Sequence, residues 1–345
     1  MSIFNLGIAC GSAGDSTSFY RAIGPFGHLR KITKALNISL LREVNWATLK
    51  QVDGVFMHRP FTQEHLSLCR MVKNFRRPLW LDHDDNLFEV GLDNPTFATY
   101  GSNVVKEAVA SMLELADVIT VSTPYLASVY KRFTDKPIIV IPNALDDDII
   151  NVDTSLPTLK QTVFWRGSNT HYKDWAFASS EFLKSAIANH GKGWKYIFMG
   201  AQPWDVMEKL IKDIGMENLM SLEGTDVMRY FSVIRDLSPK ISIVPLFPSH
   251  FNLSKSNVAW LEATFAGAVV LGPNWEEWMK PGITNYVASG DKPTDFGDRL
   301  NDLLNMSDDE RAKLRSASWN YIKNNLLLSR VNYQRRGIFE KYMDK

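Results

Sequence analysis

A doubly wound α/β architecture in two halves is the fold class this sequence predicts. Three observations lead there. Short apolar runs alternate with longer helical patterns from one end to the other. Several of those runs are continuous, with no polar alternation, as expected for parallel strands covered on both faces. An acidic, polar stretch near the middle separates two complete sets of runs.

In the first half the strand candidates are "FNLGIAC", "GVFMHR", "PLWLDH", "VITVST" and "PIIVIPN", and in the second "TVFWRGS", "KYIFMG", "ISIVPLF" and "AVVLGP". Stretches such as "SNVVKEAVASMLELA" and "PWDVMEKLIKDIG" have helical spacing. The boundary falls in "NALDDDIINVDTSLPTLKQ", residues 143–161, which contains Pro157. Near the end, Ser307 stands three residues before Glu310, a capping-box signature for a helix start. Two such halves facing across a cleft place ligands at the carboxyl ends of the strands.

At 345 residues and 45% hydrophobic, the chain can bury cores of the size two domains need. Charged residues make up 22% and the formal net charge is +1, which argues against disorder and against a strongly basic nucleic-acid wrapper. Local basic patches keep nucleic acid open as a partner. Cys10 and Cys69 are too few for a disulfide framework or a structural zinc site, so a reducing, cytoplasmic location is expected. The first residues read as a strand rather than a signal peptide, and no apolar run approaches the length of a transmembrane helix.

Polar anomalies cluster in four loops. In "GSAGDSTSFYRAIGP", Gly11 and Gly14 permit a tight backbone close to a ligand, although the spacing is neither a dinucleotide fingerprint nor a P-loop. "LDHDDNLFEV" crowds Asp82, His83, Asp84 and Asp85 behind a buried strand, where they can hold a metal, act as a base or cap a turn. In "FWRGSNTHYKDW", Arg166 and Lys173 can neutralise a phosphate, and His171 is either a ligand contact or structural. In "SKSNVAWLEATFAGAVVLGP", Lys255, Ser256 and Asn257 open a helix whose positive end suits a diphosphate. Glu262 lies about two turns further on. It can accept hydrogen bonds from the vicinal hydroxyls of a ribose, or pair with Arg166 inside the protein.

These motifs in this order resemble the retaining glycosyltransferases of the GT-B fold, especially family four and its short bacterial and phage members. The resemblance is carried by "GSAGDSTSFYR", "HRP", "LDHDDNLFEV", "ADVITVSTPYL", "IPNALD", "FWRGSNTHYKD", "VPL" and "FNLSKSNVAWLEATFAGAVVL". It implies two Rossmann-like domains, residues 1–150 and 151–325, with a last helix in 326–345 returning to the first domain. It also implies roles. Arg166 and Lys173 would bind the donor diphosphate, the amides around Ser256 and Asn257 would lie near the phosphate or sugar with Lys255 also on the donor, and Glu262 would hold the ribose. Gly11 and Ser12 would close over the diphosphate, while His83 and Asp84 would lie near the reacting carbon. One departure stands out: the family carries two glutamates eight positions apart, and eight before Glu262 stands Ser254.

The expected reaction is transfer of a sugar from a nucleoside diphosphate sugar (a UDP- or GDP-sugar) to a hydroxyl acceptor with retention. Arg166, Lys173, Lys255 and the helix dipole would stabilise the leaving diphosphate. No cofactor beyond the donor is required, and a divalent metal is not expected. An inverting route would use Asp82, Asp84 or Asp85 as base. The acceptor is a glycan, a lipid-linked glycan or, alternatively, hydroxymethylated pyrimidine (5-hydroxymethylcytosine) in phage DNA. Three basic groups in the first half, Arg30-Lys31-Lys34, Arg70-Lys73-Arg76-Arg77 and Lys131-Arg132-Lys136, would hold DNA if they lined one surface. A phage-encoded enzyme would work in the host cytoplasm. A non-catalytic nucleotide-sugar or nucleic-acid binding module is the reading from another class.

Overall fold

A computed structural model describes residues 3–12, 14–150, 158–279, 287–288 and 292–343. Of the predicted boundary, 143–161, residues 151–157, Pro157 included, lie outside the described residues. On either side lies a six-stranded, all-parallel sheet. The first contains β1 (Phe4–Ala9), β2 (Leu36–Leu40), β3 (Gly54–His58), β4 (Leu79–His83), β5 (Val118–Val121) and β6 (Ile138–Val140) in the order 2-1-3-4-5-6. The second contains β7 (Lys160–Gly167), β8 (Lys195–Gly200), β9 (Leu219–Leu222), β10 (Pro239–Ile243), β11 (Val269–Pro273) and β12 (Val287–Ala288) in the order 12-11-10-7-8-9.

Nine of these strands coincide with the predicted runs. The three that do not, β2, β9 and β12, all lie at sheet edges. β2 and β9 are only partly buried, so they carry no continuous apolar run to betray them. The two long predicted helices form as Asn103–Leu115 and Trp204–Ile214. Ser307 and Glu310 make the expected capping box at the start of helix Asp308–Asn325.

Strand order reverses between β1 and β3 in one sheet and between β7 and β10 in the other. Chain connections leave these neighbours in opposite directions, which opens a crevice at their carboxyl ends. The two crevices face each other. Between them, Phe19 of the first half packs on Phe231 of the second, with ring centroids 6.2 Å apart. The C-terminal helix Leu328–Ile338 lies against helix Gly24–Ile32, where Asn332 Nδ2 donates to the Pro25 carbonyl at 2.7 Å.

Candidate functional site

The facing crevices enclose a cavity of about 330 Å³. From the first half, Ser16, Thr17, Tyr20, Arg59, Asp84, Asp85 and Asn143 line it. From the second come Arg166, Ser168, His171, Lys255, Ser256 and Glu262. An adjoining pocket of about 430 Å³ shares Arg166, Ser168, His171 and Glu262 and is walled by Gly200, Gly224 and Thr225. A third, of about 650 Å³, opens in the first half beside Gly11, Arg42, His58 and His65.

The helix at the centre of the site is Val258–Phe265. Gly267, at φ +97°, ends it in the left-handed conformation that glycine tolerates best. Asn257 occupies the cap position, yet its side chain does not cap the helix. It is buried and donates to the Glu277 carbonyl at 3.0 Å. Among the described residues no acceptor takes the first-turn amides of Val258 and Ala259, and both residues line the cavity. Lys255 stands beside them. Burial lowers its pKa against the opposing charges of Asp174 and Asp85, and no carboxylate lies within ion-pair distance among the described residues. A cation and free amides therefore border one space, an arrangement that is electrostatically suited to negative charge.

Glu262 is 2% exposed. Its Oε1 accepts from the Tyr20 hydroxyl at 3.0 Å, and its Oε2 accepts from Arg166 Nε at 3.1 Å and from the second guanidinium arm. The pairing with Arg166 that the sequence left as an alternative is therefore the one present. Tyr20 makes it a contact across the cleft.

The Asp-rich turn resolves into separate roles. Asp82 is buried under Arg21, which contacts both its oxygens at 2.9 and 2.7 Å, while Thr120 donates to it at 2.6 Å. It lies outside the cavity, so it is no base for a bound acceptor. His83, the last residue of β4, is fully buried with its ring tilted against Tyr130 at 5.0 Å, and burial depresses its pKa to about 3. It does not line the cavity, and neither ring nitrogen has a partner among the described residues. Asp84 does reach the cavity. Arg59 grips it through Nε at 2.9 Å and Nη2 at 2.6 Å, and also pairs with Asp85 at 2.9 Å. Burial would raise the Asp84 carboxyl, but the charge of Arg59 and hydrogen bonds from His58 and Arg59 outweigh it and hold it well below its ordinary value. For Asp85 burial prevails over Arg59, and the pKa is raised. Among the described residues no group of three or more His, Cys, Asp or Glu side chains is placed to hold a metal.

Arg59, in "HRP", lines the cavity although nothing local in the sequence singles it out. It has φ +50°, a conformation that costs an ordinary residue energy and marks a constrained site. Tyr20, His58 and Asn143 were also missed. Asn143 Nδ2 donates to Ser256 Oγ at 2.8 Å across the cleft, which no local pattern announces.

Two other expectations move. Lys173 lies outside the cavity, 49% exposed in its side chain, paired with Asp93 and over the Phe247 ring at 4.7 Å. Gly11 and Ser12 are exposed and do not line the cavity. Gly11 borders the 650 Å³ pocket instead, and a Cβ there would meet Ser18 Oγ at 2.7 Å. The residues that follow, Ser16 and Thr17, cover the cleft. His171 is in place: its Nδ1 lies 2.7 Å from Asp174, and burial, reinforced by Lys255, drops its pKa to about 4. The imidazole is therefore neutral, with Nδ1–H on the carboxylate and Nε2 left as an acceptor.

Ser254, the departure from the two-glutamate pattern, is buried outside the cavity. Its hydroxyl donates to the His250 carbonyl at 2.9 Å and accepts from Asn86 Nδ2 at 3.2 Å, while its carbonyl accepts from Thr123 at 3.0 Å.

Fold and cavity together define a two-domain α/β protein of the GT-B arrangement, with a cleft between its halves. Solved structures similar to it include Anabaena Alr3699/HepE in complex with UDP and glucose, with a TM-score of 0.68 and 11% identity over 98% of this chain and 99% of that one. A UDP-forming α,α-trehalose-phosphate synthase from Burkholderia xenovorans gives 0.63 and 12%, over 86% and 75%. An E. coli structure bound with UDP-2-fluoro glucose gives 0.64 and 11%, over 98% and 99%. No family model and no curated protein matches the chain.

Proposed function

We propose that this protein is a glycosyltransferase that moves a sugar from a nucleoside diphosphate sugar to a hydroxyl acceptor with retention. One observation carries the reading: the unpaired Lys255 ammonium and the free amides of Val258 and Ala259 share a cavity with Arg166. Such a cradle fits a diphosphate, which leaves as an anion and needs that charge stabilised. Arg166 turns from Glu262 to the phosphates when donor enters, and Glu262 is released to the ribose hydroxyls. The base then lies in the adjoining pocket against Gly200, Gly224 and Thr225. The described neighbours bound with UDP, glucose or UDP-2-fluoro glucose support a nucleotide-sugar ligand.

In this mechanism the C1–O bond to the diphosphate breaks and the acceptor oxygen bonds C1 on the same face. The acceptor proton passes to the departing phosphate oxygen. The carboxylates of the Asp-rich turn support retention, since Asp84 is committed to Arg59 and Asp82 to Arg21. Asp85 is the carboxylate an inverting route would have to use. No metal is assigned to the chemistry, because Arg59 already neutralises the acids that face the cavity. With Ser254 buried, the sugar end of the donor meets Lys255, Ser256 and Asn143 rather than a glutamate.

A glycan or lipid-linked glycan is the acceptor class favoured over DNA. Lys31, Lys73, Arg77, Lys131 and Arg132 are already paired with Asp148, Asp117, Asp53, Asp135 and Glu89, so half of the basic groups are not free for phosphates. No helix among the described residues is long and apolar enough to cross a membrane.

A thermal-shift panel of UDP- and GDP-sugars tests the donor, since a preferred one raises stability by mass action. NMR of the product anomer tests retention, and an inverted product rejects it. Steep salt inhibition of transfer to hydroxymethylated duplex DNA would restore the DNA reading. Failure of the purified protein to release free sugar from any stabilising donor would instead make it a binding module.

A further inference from the structure

A groove on the outer rim of the second half takes no part in the cleft chemistry. It encloses about 270 Å³ between the first turns of helices Tyr172–Ala188 and Trp204–Ile214. Tyr172 and Trp204 line it at 72% and 65% exposure, two large rings that folding has left uncovered. Ser179, Gln202 and Asp205 add polar groups to the lining. The Gln202 amide nitrogen donates to the Gly200 and Leu222 carbonyls at 3.0 and 2.9 Å, which fixes the side chain. Its Oε1 is buried without a donor, and the indole N–H of Trp175, also in the lining, is buried without an acceptor. Asp205 has no cation within ion-pair distance among the described residues.

We propose that this groove is a carbohydrate-binding site for a neutral pyranose ring of a glycan chain. The electron-rich faces of Tyr172 and Trp204 suit the apolar C–H face of such a ring. Its hydroxyls need donors and acceptors together, and the Ser179 hydroxyl and the Asp205 carboxylate supply both. Trp175 and Gln202 line the same groove, and a sugar hydroxyl, or a water carried with it, would complete the Trp175 N–H and the Gln202 Oε1, which have no partner among the described residues. The Asp205 carboxylate already occupies the first turn of helix Trp204–Ile214, where a phosphate would otherwise be favoured, so the preference is for an uncharged ligand. Tyr172 directly follows His171 of the cleft cavity. A glycan held here stays beside the reaction centre and raises the local concentration of acceptor. That last consequence rests on the transferase reading; the binding chemistry does not.

The test is saturation-transfer NMR on the whole protein, saturated with UDP, using maltotriose, cellotriose and chitotriose as probes. Wild type is expected to bind at least one of them, and Trp204→Ala and Tyr172→Ala each to weaken that binding at least tenfold. Melting temperature and UDP affinity should stay unchanged in both variants. The proposal is overturned if none of the three probes gives a signal, or if the signal survives both substitutions. It is also overturned if Trp204→Ala weakens UDP binding, which would make the groove part of the nucleotide site. Absence of UDP binding in wild type would count against the transferase reading alone, because the saccharides can be scored without nucleotide.

Discussion

Replacing Lys255 with methionine should make the protein more stable and worse at its task. The ammonium is half-buried beside free helix amides and over the Phe251 ring at 5.3 Å, with no carboxylate in ion-pair range among the described residues, so that ring and the more distant charges of Asp174 and Asp85 offset only part of its desolvation. Methionine keeps much of the stem and removes the charge. Water in the cleft softens the penalty, and the gain expected in urea denaturation is about 1 kcal/mol. Because burial lowers the folded pKa, the unfolded chain holds the proton more tightly, and wild-type stability rises with pH through that window. The advantage of the variant is therefore full below the folded value and fades as pH approaches about 10.4. Affinity moves the other way. A hydrogen bond to a charged partner contributes about 1.5–3 kcal/mol, so UDP should bind roughly 10- to 150-fold more weakly by calorimetry at neutral pH. Uridine, which lacks the phosphates, should be unaffected. UDP affinity within twofold of wild type, or an equal loss for uridine, would refute the assignment of Lys255 to the diphosphate.

Arg59→Ala leaves Asp84 and Asp85 without their shared cation, and a loss of about 3 kcal/mol is expected in chemical denaturation. Acid titration should show the same pair: Asp84 has a depressed pKa, so its contribution is present above about pH 3.9 and is lost only as pH falls through the lower folded value. His171, with a pKa of about 4, should give transfer activity no inflection near its ordinary value of about 6.5, and an NMR titration of its ring should place the midpoint below pH 5. Arg335 is buried with one guanidinium nitrogen unpartnered, and burial followed by the charge of Arg21 lowers its pKa to about 9. Arg335→Met should raise the urea midpoint by about 1 kcal/mol equivalent at neutral pH and lose that advantage in strong alkali.

Sequence reading found the centre of the site better than its rim. The helix from Val258, its glycine stop and the position of Glu262 follow from local chemistry, and they stand as expected. Asp84 and Arg166 line the cavity, and charge at the end of an apolar strand is costly without a partner, which is why both stand out in the sequence. Placement in the fold was not legible: His83 sits next to Asp84 in sequence, yet it is buried at the end of β4 while Asp84 lines the cavity. Lys173 lies in the first turn of its helix and is carried out to Asp93.

By itself, then, the sequence determined the two α/β halves, most of their strands and the helix that opens after Lys255, Ser256 and Asn257. These depend on periodicity and on neighbours within a few residues. Only the tertiary structure decided that Glu262 rests between Tyr20 and Arg166, that Arg59 holds Asp84 and Asp85, and that Ser254 is sealed by Asn86. Each of these joins residues far apart in the chain, several of them across the cleft. Such pairings exist only once two independently patterned sheets have been brought face to face.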